Sequence, residues 1–585
     1  MTGRWVITGA RLFDGERVLP ADSVIVEDSL IVAVGTALPI APGDRLVEAE
    51  GATMLPGLID AHAHVGSRGA LVRALRFGVT TVCDMFMDWR LAAELRAAEA
   101  SGEANDVAAL FSAGTLVTAP GGHGTRQLVG AIPTLESADD AERFVAERVA
   151  EGSEWIKVVY DDFETLGQHL PTLDFPTLRA VVKAAHRQGR KVVVHLGGLD
   201  GARDAVEAGA DVLGHWVADA EPEPGLVDEI ARRGVVVIPT LSMLGSMCGQ
   251  PRAELAEDPL LGPYLSERDR ADVVRSLGQP DSPVGSMQVA RAGVARLAEA
   301  GVPILAGTDA PFPGMAHGVS LHGELEALVE AGIPPQRALA AATMLPARHL
   351  GLPERGWIAE GQRADLMLVR GDPTVDIAAT RDILRLWKAG CPVERPIQAG
   401  SRYQAPVVPL SGQLADREGT AVAATCGAGW VPFTDQQVGG RSTARVRAVD
   451  DPSAPEGWAI EITGRLDKSA TSAWAGVAVH PGDRPLAPAD LSDWAGLSLW
   501  LRQDDERPVV VMLVLASRGR ASPPTALLEV DGLWTARHVA WGDFDGSDGH
   551  DVRAIAFLLA GPPGGAFRFH VGSPSLLHHR VGQRR

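Results

Sequence analysis

The stretch Leu55-Pro56-Gly57-Leu58-Ile59-Asp60-Ala61-His62-Ala63-His64-Val65 decides how this chain is read. Its apolar run predicts a buried strand, and in an extended segment residues two apart point to the same side. His62 and His64 therefore project two imidazoles from the strand end into one shared space. Imidazole suits divalent zinc, manganese, iron or nickel, and two rings at this spacing can grip one ion. Alone, the tripeptide reads equally well as two polar residues closing a strand. What lies downstream tips the balance.

From about Met54 onward, strands alternate with longer amphipathic helices. The predicted strands are Gly57–His64, Thr80–Met85, Ala108–Ala113, Trp155–Tyr160, Lys191–Leu196, Val212–Trp216, Val235–Thr240 and Ile304–Thr308. Helical patterns such as Leu91–Glu99, Ala138–Ala150, Thr177–Gly189 and Gln288–Ala300 lie between them. Eight strand–helix units over roughly 300 residues predict an α/β fold of (β/α)8 TIM-barrel type. The alternative, an open doubly wound sheet, usually carries a glycine-rich phosphate turn after its first strand, where this chain has histidines. Residues 1–53 read as short strands broken by turns. Strands in 352–395 return to complete one small β domain with them, leaving 54–351 to the barrel.

Four further strand ends carry groups of metal-ligand type: Lys157, His195, His215 and Asp309. Barrel side chains at C-terminal strand ends converge on one mouth, where active sites lie. Each residue has a plainer reading. A buried histidine is usually a hydrogen-bonded core residue, an aspartate after Gly-Thr a helix cap, and a lysine on an apolar strand a snorkelling chain. Six such residues together, each on its own strand or paired on the first, instead point to a metal centre.

This arrangement resembles the amidohydrolase superfamily over about residues 1–395. The matching segments, in order, are Leu55–His64, Gly78-Val79-Thr80-Thr81-Val82-Cys83-Asp84, the Lys157 strand, His195, His215 and Ala306-Gly307-Thr308-Asp309. The segments Leu321–Glu326, Ala338–Thr343 and Gly361–Leu366 look most like the imidazolonepropionase-related branch. Within that branch, a strand-four lysine is similar to metal-dependent Xaa-Pro or Xaa-Arg dipeptidases. The resemblance implies that His62, His64 and Asp309 bind one zinc ion and His195 and His215 a second. Lys157, carboxylated by carbon dioxide, would bridge the two, because a carbamate offers anionic oxygens where an ammonium repels. An unmodified Lys157 would leave a single-metal site. A water between two metals becomes hydroxide near neutral pH, and Asp309 would take its proton and pass it to the leaving amine. His123, in Gly121-Gly122-His123-Gly124, matches the branch's Gly-Gly-His-Gly segment and is expected to hold the substrate carbonyl or carboxylate, with Arg126 close by. Tyr160 is a candidate oxyanion donor; its plainer reading is a core or rim aromatic. His322 reads as a structural partner in a helix start. The 242–287 segment is long enough to shape the pocket or cover it.

The implied activity is hydrolysis of an amide bond in a dipeptide or N-acyl amino acid by a bridging hydroxide. A lactone, carbamate or cyclic amide is the alternative for the same site. A reading from another class is an inactive barrel beside a ligand-binding sandwich. Residues 396–418 read as a linker, and 419–585 as strand-rich with dispersed tryptophans, the pattern of a β-sandwich. Within it, Phe433–Ser442 is similar to the Gly-Gly-x-Ser segment of the NADH:ubiquinone oxidoreductase intermediate-associated protein family, which implies a galactose-binding-like jelly roll.

The chain's 585 residues exceed one compact domain, and 46% apolar with 22% charged residues is ordinary for globular cores. A net charge of -20 argues against a nucleic-acid surface, which needs a basic patch. Four scattered cysteines form neither a disulfide framework nor a thiolate zinc site. No apolar run is long enough for a membrane span. The expected setting is cytoplasmic, with a small-molecule substrate as partner and a homo-oligomer left open.

Overall fold

The computed structural model describes residues 3–578 apart from 102–105, 126–131, 279–283, 396–407, 409–411, 439, 468–472, 483, 493, 504–506, 516–522, 531, 545–546, 548, 550–551 and 562–564. The chain divides into two compact units, residues up to 398 and residues 399–580. Among the described residues, no helix is long and apolar enough to cross a membrane.

In the first unit, strands from both ends of the segment share a sheet. Leu366–Arg370 lies antiparallel to Ala52–Pro56, which pairs in parallel with Arg11–Leu12. A second, four-stranded sheet is built from residues 5–48, and the two bury Ile7, Leu12, Val26, Met54, Leu366 and Trp387 in one cluster. This joins residues far apart in sequence, because the apolar faces of the early strands have no other cover.

Between these ends run parallel strands β1 (Leu58–Ala63), β2 (Val79–Asp84) and β3 (Ala109–Ser112) in one sheet, and β4 (Ile156–Val159), β5 (Val192–His195), β6 (Val212–Leu213) and β7 (Val236–Val237) in another. Parallel bridges connect Val117 to Val158, Val237 to Ile304 and Ala310 to Ala63. Following the pairings through the Ile304–Ala310 segment therefore leads back to β1. Side chains alternate between two apolar environments: Val158, Val194, Leu213 and Val237 join the cluster that includes the helices, whereas Trp155, Val193, Val212, Val236 and Leu305 share another. Nearly every strand residue is buried on both faces, as parallel sheets require.

The structure departs from the predicted elements in three places. The eighth segment is not a regular strand: Ala306 accepts from Ala61 N, and the His62 carbonyl receives both Thr308 N and Asp309 N. Asp309 sits at φ 61°, which turns the chain there. The 242–287 segment, expected to shape or cover the pocket, is not a bare loop: it takes in most of helix Leu241–Met247 and all of Glu267–Val274, and its Leu255, Leu261, Leu265 and Val273 form a small core with Phe77 and Val319. The expected linker also ends earlier. Its 396–407 and 409–411 portions lie outside the described residues, but Ala415–Glu418 is a strand paired with Ala421–Ala424, and Leu414 and Ala415 are buried with the second unit's core.

The second unit carries two five-stranded antiparallel sheets that contribute to one apolar cluster including Trp430, Trp494, Trp541, Phe557 and Phe569. The Asp435 carboxylate accepts from Ser442 N at 2.9 Å and Ser442 Oγ at 2.6 Å, and Ser442 Oγ accepts from Asp467 N at 2.8 Å. Ser442 of that motif thus ties a turn to a neighbouring strand end.

Candidate metal centre

His62 and His64 leave β1 on either side of Ala63, with ring centroids 5.6 Å apart. His215, just past β6, lies 4.6 Å from the His62 ring and 4.6 Å from that of His195, at the end of β5. Asp309 Oδ1 stands 3.2 Å from His62 Nε2 and 2.9 Å from His64 Nε2. Lys157 Nζ, from β4, is 3.2 Å from His62 Nε2. Candidate ligand atoms of the buried His62, His215 and Asp309 all lie within 4.8 Å of one another. The six ligand-type residues predicted from sequence are therefore drawn together.

Hydrogen bonds on the far side of each ring decide which nitrogen faces inward. His62 Nδ1 lies 2.8 Å from the Gly214 carbonyl, which only accepts, so Nδ1 carries the proton and the Nε2 lone pair points into the cluster. His64 Nδ1 faces the Phe86 carbonyl at 3.4 Å, and His215 Nδ1 meets Thr240 Oγ1 at 2.9 Å. His195 is reversed: its Nε2 meets the Asp161 carboxylate at 3.3 Å, turning Nδ1 inward. Asp309 Oδ1 is buried, and no hydrogen bond of acceptable geometry reaches it. Lone pairs of imidazole and carboxylate pressed to about 3 Å repel unless a cation lies among them, so this donor set suits a divalent metal.

Electrostatics agree. Burial, then the neighbouring Lys157, pushes His62 down to about 3, and burial with His195 holds His215 well below its usual range. Both rings are thus neutral near pH 7, the form in which an imidazole can ligate a metal. Burial works to raise Asp309, but its contacts with His62 and His64 outweigh it and hold the carboxyl well below the ordinary range; Asp309 in turn raises His64 against its burial, so a proton on His64 or a metal ion can answer this carboxylate. Burial lowers Lys157 to about 7. A Cβ at Gly214 would stand 3.1 Å from Lys157 Nζ, so the glycine keeps space beside that amine.

Several supporting residues are not evident from sequence. The Asp60 carboxylate accepts from Thr308 N at 3.0 Å and Thr308 Oγ1 at 2.7 Å, fixing the turn that presents Asp309. A Cβ at Gly307 would stand 2.7 Å from His62 Cβ and 2.6 Å from Ile238 Cγ2, so only glycine lets this segment approach β1. Phe163, at φ 63°, stacks on His123 with centroids 4.5 Å apart and lies 5.5 Å from His195. His123 itself lies 5.4 Å from His195, stacked, and burial followed by His195 pushes it down to about 3. Its predicted place beside the cluster is thus occupied by a neutral ring.

Tyr160 is placed in keeping with its plainer reading as a core or rim aromatic. Its hydroxyl donates to Asp204 on helix Leu199–Ala208 at 2.8 Å, and its ring packs with the strand–helix core. Lys157 enters the cluster, and three positions further along the chain the alternation has turned the side chain to the helical layer. His322 bonds Thr380 Oγ1 and the Phe77 carbonyl, a structural role. Arg126 lies outside the described residues.

The amidohydrolase family model matches residues 53–394. An uncharacterised protein of Mycobacterium tuberculosis is 27% identical over 343 residues, covering 57% of this chain and 83% of its own. Imidazolonepropionase of Deinococcus deserti is 36% identical over 99 residues, 16% of this chain and 25% of that protein. The structure of a Xaa-Pro dipeptidase with bound methionine in the active site superposes with a TM-score of 0.55 at 23% identity, covering 67% of this chain and all of that one. The fold of such neighbours implies a TIM-barrel domain here. With a family model spanning more than half of its length, this chain belongs to the amidohydrolase family and is a hydrolytic enzyme acting on C–N bonds.

Proposed function

We propose that the chain is a binuclear, zinc-dependent amide hydrolase acting on a dipeptide or N-acyl amino acid, its centre at the mouth of a complete (β/α)8 barrel. The second unit is proposed as a jelly-roll sandwich with an accessory, packing role. The observation that carries the reading is the inward turn of four imidazoles and a buried carboxylate around Lys157. His62, His64 and Asp309 would hold one metal, His195 and His215 the other, with Lys157 between them as a carbamate. Support for the carbamate comes from the lowered basicity of Lys157, since the neutral amine is the form that adds to carbon dioxide, and from the space at Gly214.

Bound divalent metals supply water activation and polarisation of the scissile carbonyl. The protein supplies the rest. Asp309, kept ionised, accepts a proton from the attacking water at its carboxylate and returns it to the leaving nitrogen. His123, kept neutral, donates an N–H to the carbonyl oxygen or to a substrate carboxylate. Phe163, and Phe312 at 6.1 Å from the His64 ring, exclude water from that side.

Metal analysis of the purified chain and a hydrolysis screen of dipeptides, N-acyl amino acids, lactones and carbamates test this reading. Two zinc ions per chain with amide cleavage are expected, falling to one ion in Lys157→Ala. Fewer than one metal per chain with no hydrolysis would overturn it.

A further inference from the structure

Glu324 is fully buried on helix Val319–Glu330, and its two carboxylate oxygens accept from Leu241 N at 2.9 Å and Ser242 N at 2.7 Å. These are the first N–H groups of helix Leu241–Met247. Taking a carboxylate out of water is costly, and an apolar side chain would fill the same space without that cost. What the carboxylate grips is therefore informative. Immediately before the two N–H groups stands Thr240, fully buried at φ 49°, ψ 48°. That left-handed conformation is unfavourable for a β-branched residue and persists only where neighbours impose it. The Thr240 hydroxyl is the group 2.9 Å from His215 Nδ1.

We propose that Glu324 is a positioning residue for His215, acting through the N–H groups of Leu241 and Ser242 and the hydroxyl of Thr240. By holding the start of the helix, the carboxylate keeps Thr240 in its left-handed state. The hydroxyl then holds Nδ1 and leaves Nε2 directed at the cluster. Without the carboxylate, Thr240 relaxes toward extended backbone and its hydroxyl leaves the ring. The inference rests on the reading above that His215 is a metal ligand.

The test compares full-length wild type with Glu324→Gln, Thr240→Val, Thr240→Ser and the Glu324→Gln/Thr240→Val double variant. Zinc affinity is read by chelator competition, and ligand geometry by the visible absorption of the cobalt(II)-loaded protein. Glu324→Gln and Thr240→Val should each weaken one zinc site by about 10- to 100-fold and change the cobalt bands alike. The double variant should be no worse than either, and Thr240→Ser should stay near wild type. If Glu324→Gln yields no folded protein, Glu324→Asp, which withdraws the carboxylate by one methylene, is read in its place. Multiplying losses in the double variant, or an unchanged cobalt spectrum in the Glu324 variant, would overturn the inference. Wild type that takes up neither zinc nor cobalt would instead overturn the metal-centre reading itself.

Discussion

Lys157 offers the sharpest quantitative test, because its basicity in the metal-free protein is set by burial, opposed by the charges of Asp309 and Asp84. The side chain is 3% exposed, and burial brings its ammonium from 10.5 down to about 7. Below pH 7 both folded and unfolded chains hold the proton, so the folded state bears a constant penalty. Between about 7 and 10.5 the unfolded chain binds the proton and the folded one does not, so stability rises with pH. At about 1.36 kcal/mol per pH unit, the whole interval is worth about 5 kcal/mol. Lys157→Met, similar in length and without a titrating proton, removes this dependence. Urea unfolding of both proteins should be followed between pH 6.5 and 9.5 in chelator and carbonate-free buffer. The stability of wild type relative to the variant should climb by about 1.4 kcal/mol per pH unit above pH 7 and stay flat below it. Groups that do not feel the Lys157 charge titrate alike in both proteins and cancel; His62, His64 and His215, which do, are followed by NMR titration in both proteins and their contribution subtracted. A difference that does not vary with pH would refute the claim that Lys157 is a desolvated amine in the metal-free protein.

Three further outcomes follow from the geometry. Gly307→Ala sets a methyl against His62 and Ile238 and should cost about 1–3 kcal/mol in denaturation while weakening metal retention; normal metal content with full stability would contradict the close approach. His123→Asn should lower kcat/KM by about 10²–10³ with both metals retained, as measured by steady-state kinetics beside metal analysis. Tyr160→Phe should leave kcat within about twofold and cost about 1.5–3 kcal/mol through the lost bond to Asp204. A large fall in kcat at unchanged stability would return Tyr160 to the catalytic set.

The candidate ligand residues were legible in sequence because each sits at or near the end of an apolar strand, and strand period alone tells that His62 and His64 share a side. Lys157, His195, His215 and Asp309 were readable for the same reason: an ionisable group at the end of a buried strand is rarely neutral in meaning. Of the two readings of Tyr160, the position favours the core or rim aromatic, because it stands beyond the last residue of β4, three places from Lys157, where the side chain turns to the helices. Asp161, next to it, is the residue that meets His195, a contact made across 34 positions. The early end of the linker was missed because Leu414 and Ala415 are apolar in a stretch otherwise rich in turn residues, and only pairing with the second unit shows where they belong.

The sequence by itself determined which groups can ligate a metal, the order of the strands that carry them, and the family. The first two follow from local chemistry and from hydrophobic periods that each segment expresses alone, and the family from the resemblance of its ordered motif segments. Only the tertiary structure decided which nitrogen of each ring faces inward, since that is set by distant partners: Gly214 for His62, Asp161 for His195, Thr240 for His215. It alone brought Glu324 under Thr240 from more than eighty positions away. Buried polar groups must find their hydrogen bonds wherever the folded chain provides them, and no local pattern in the sequence records that choice.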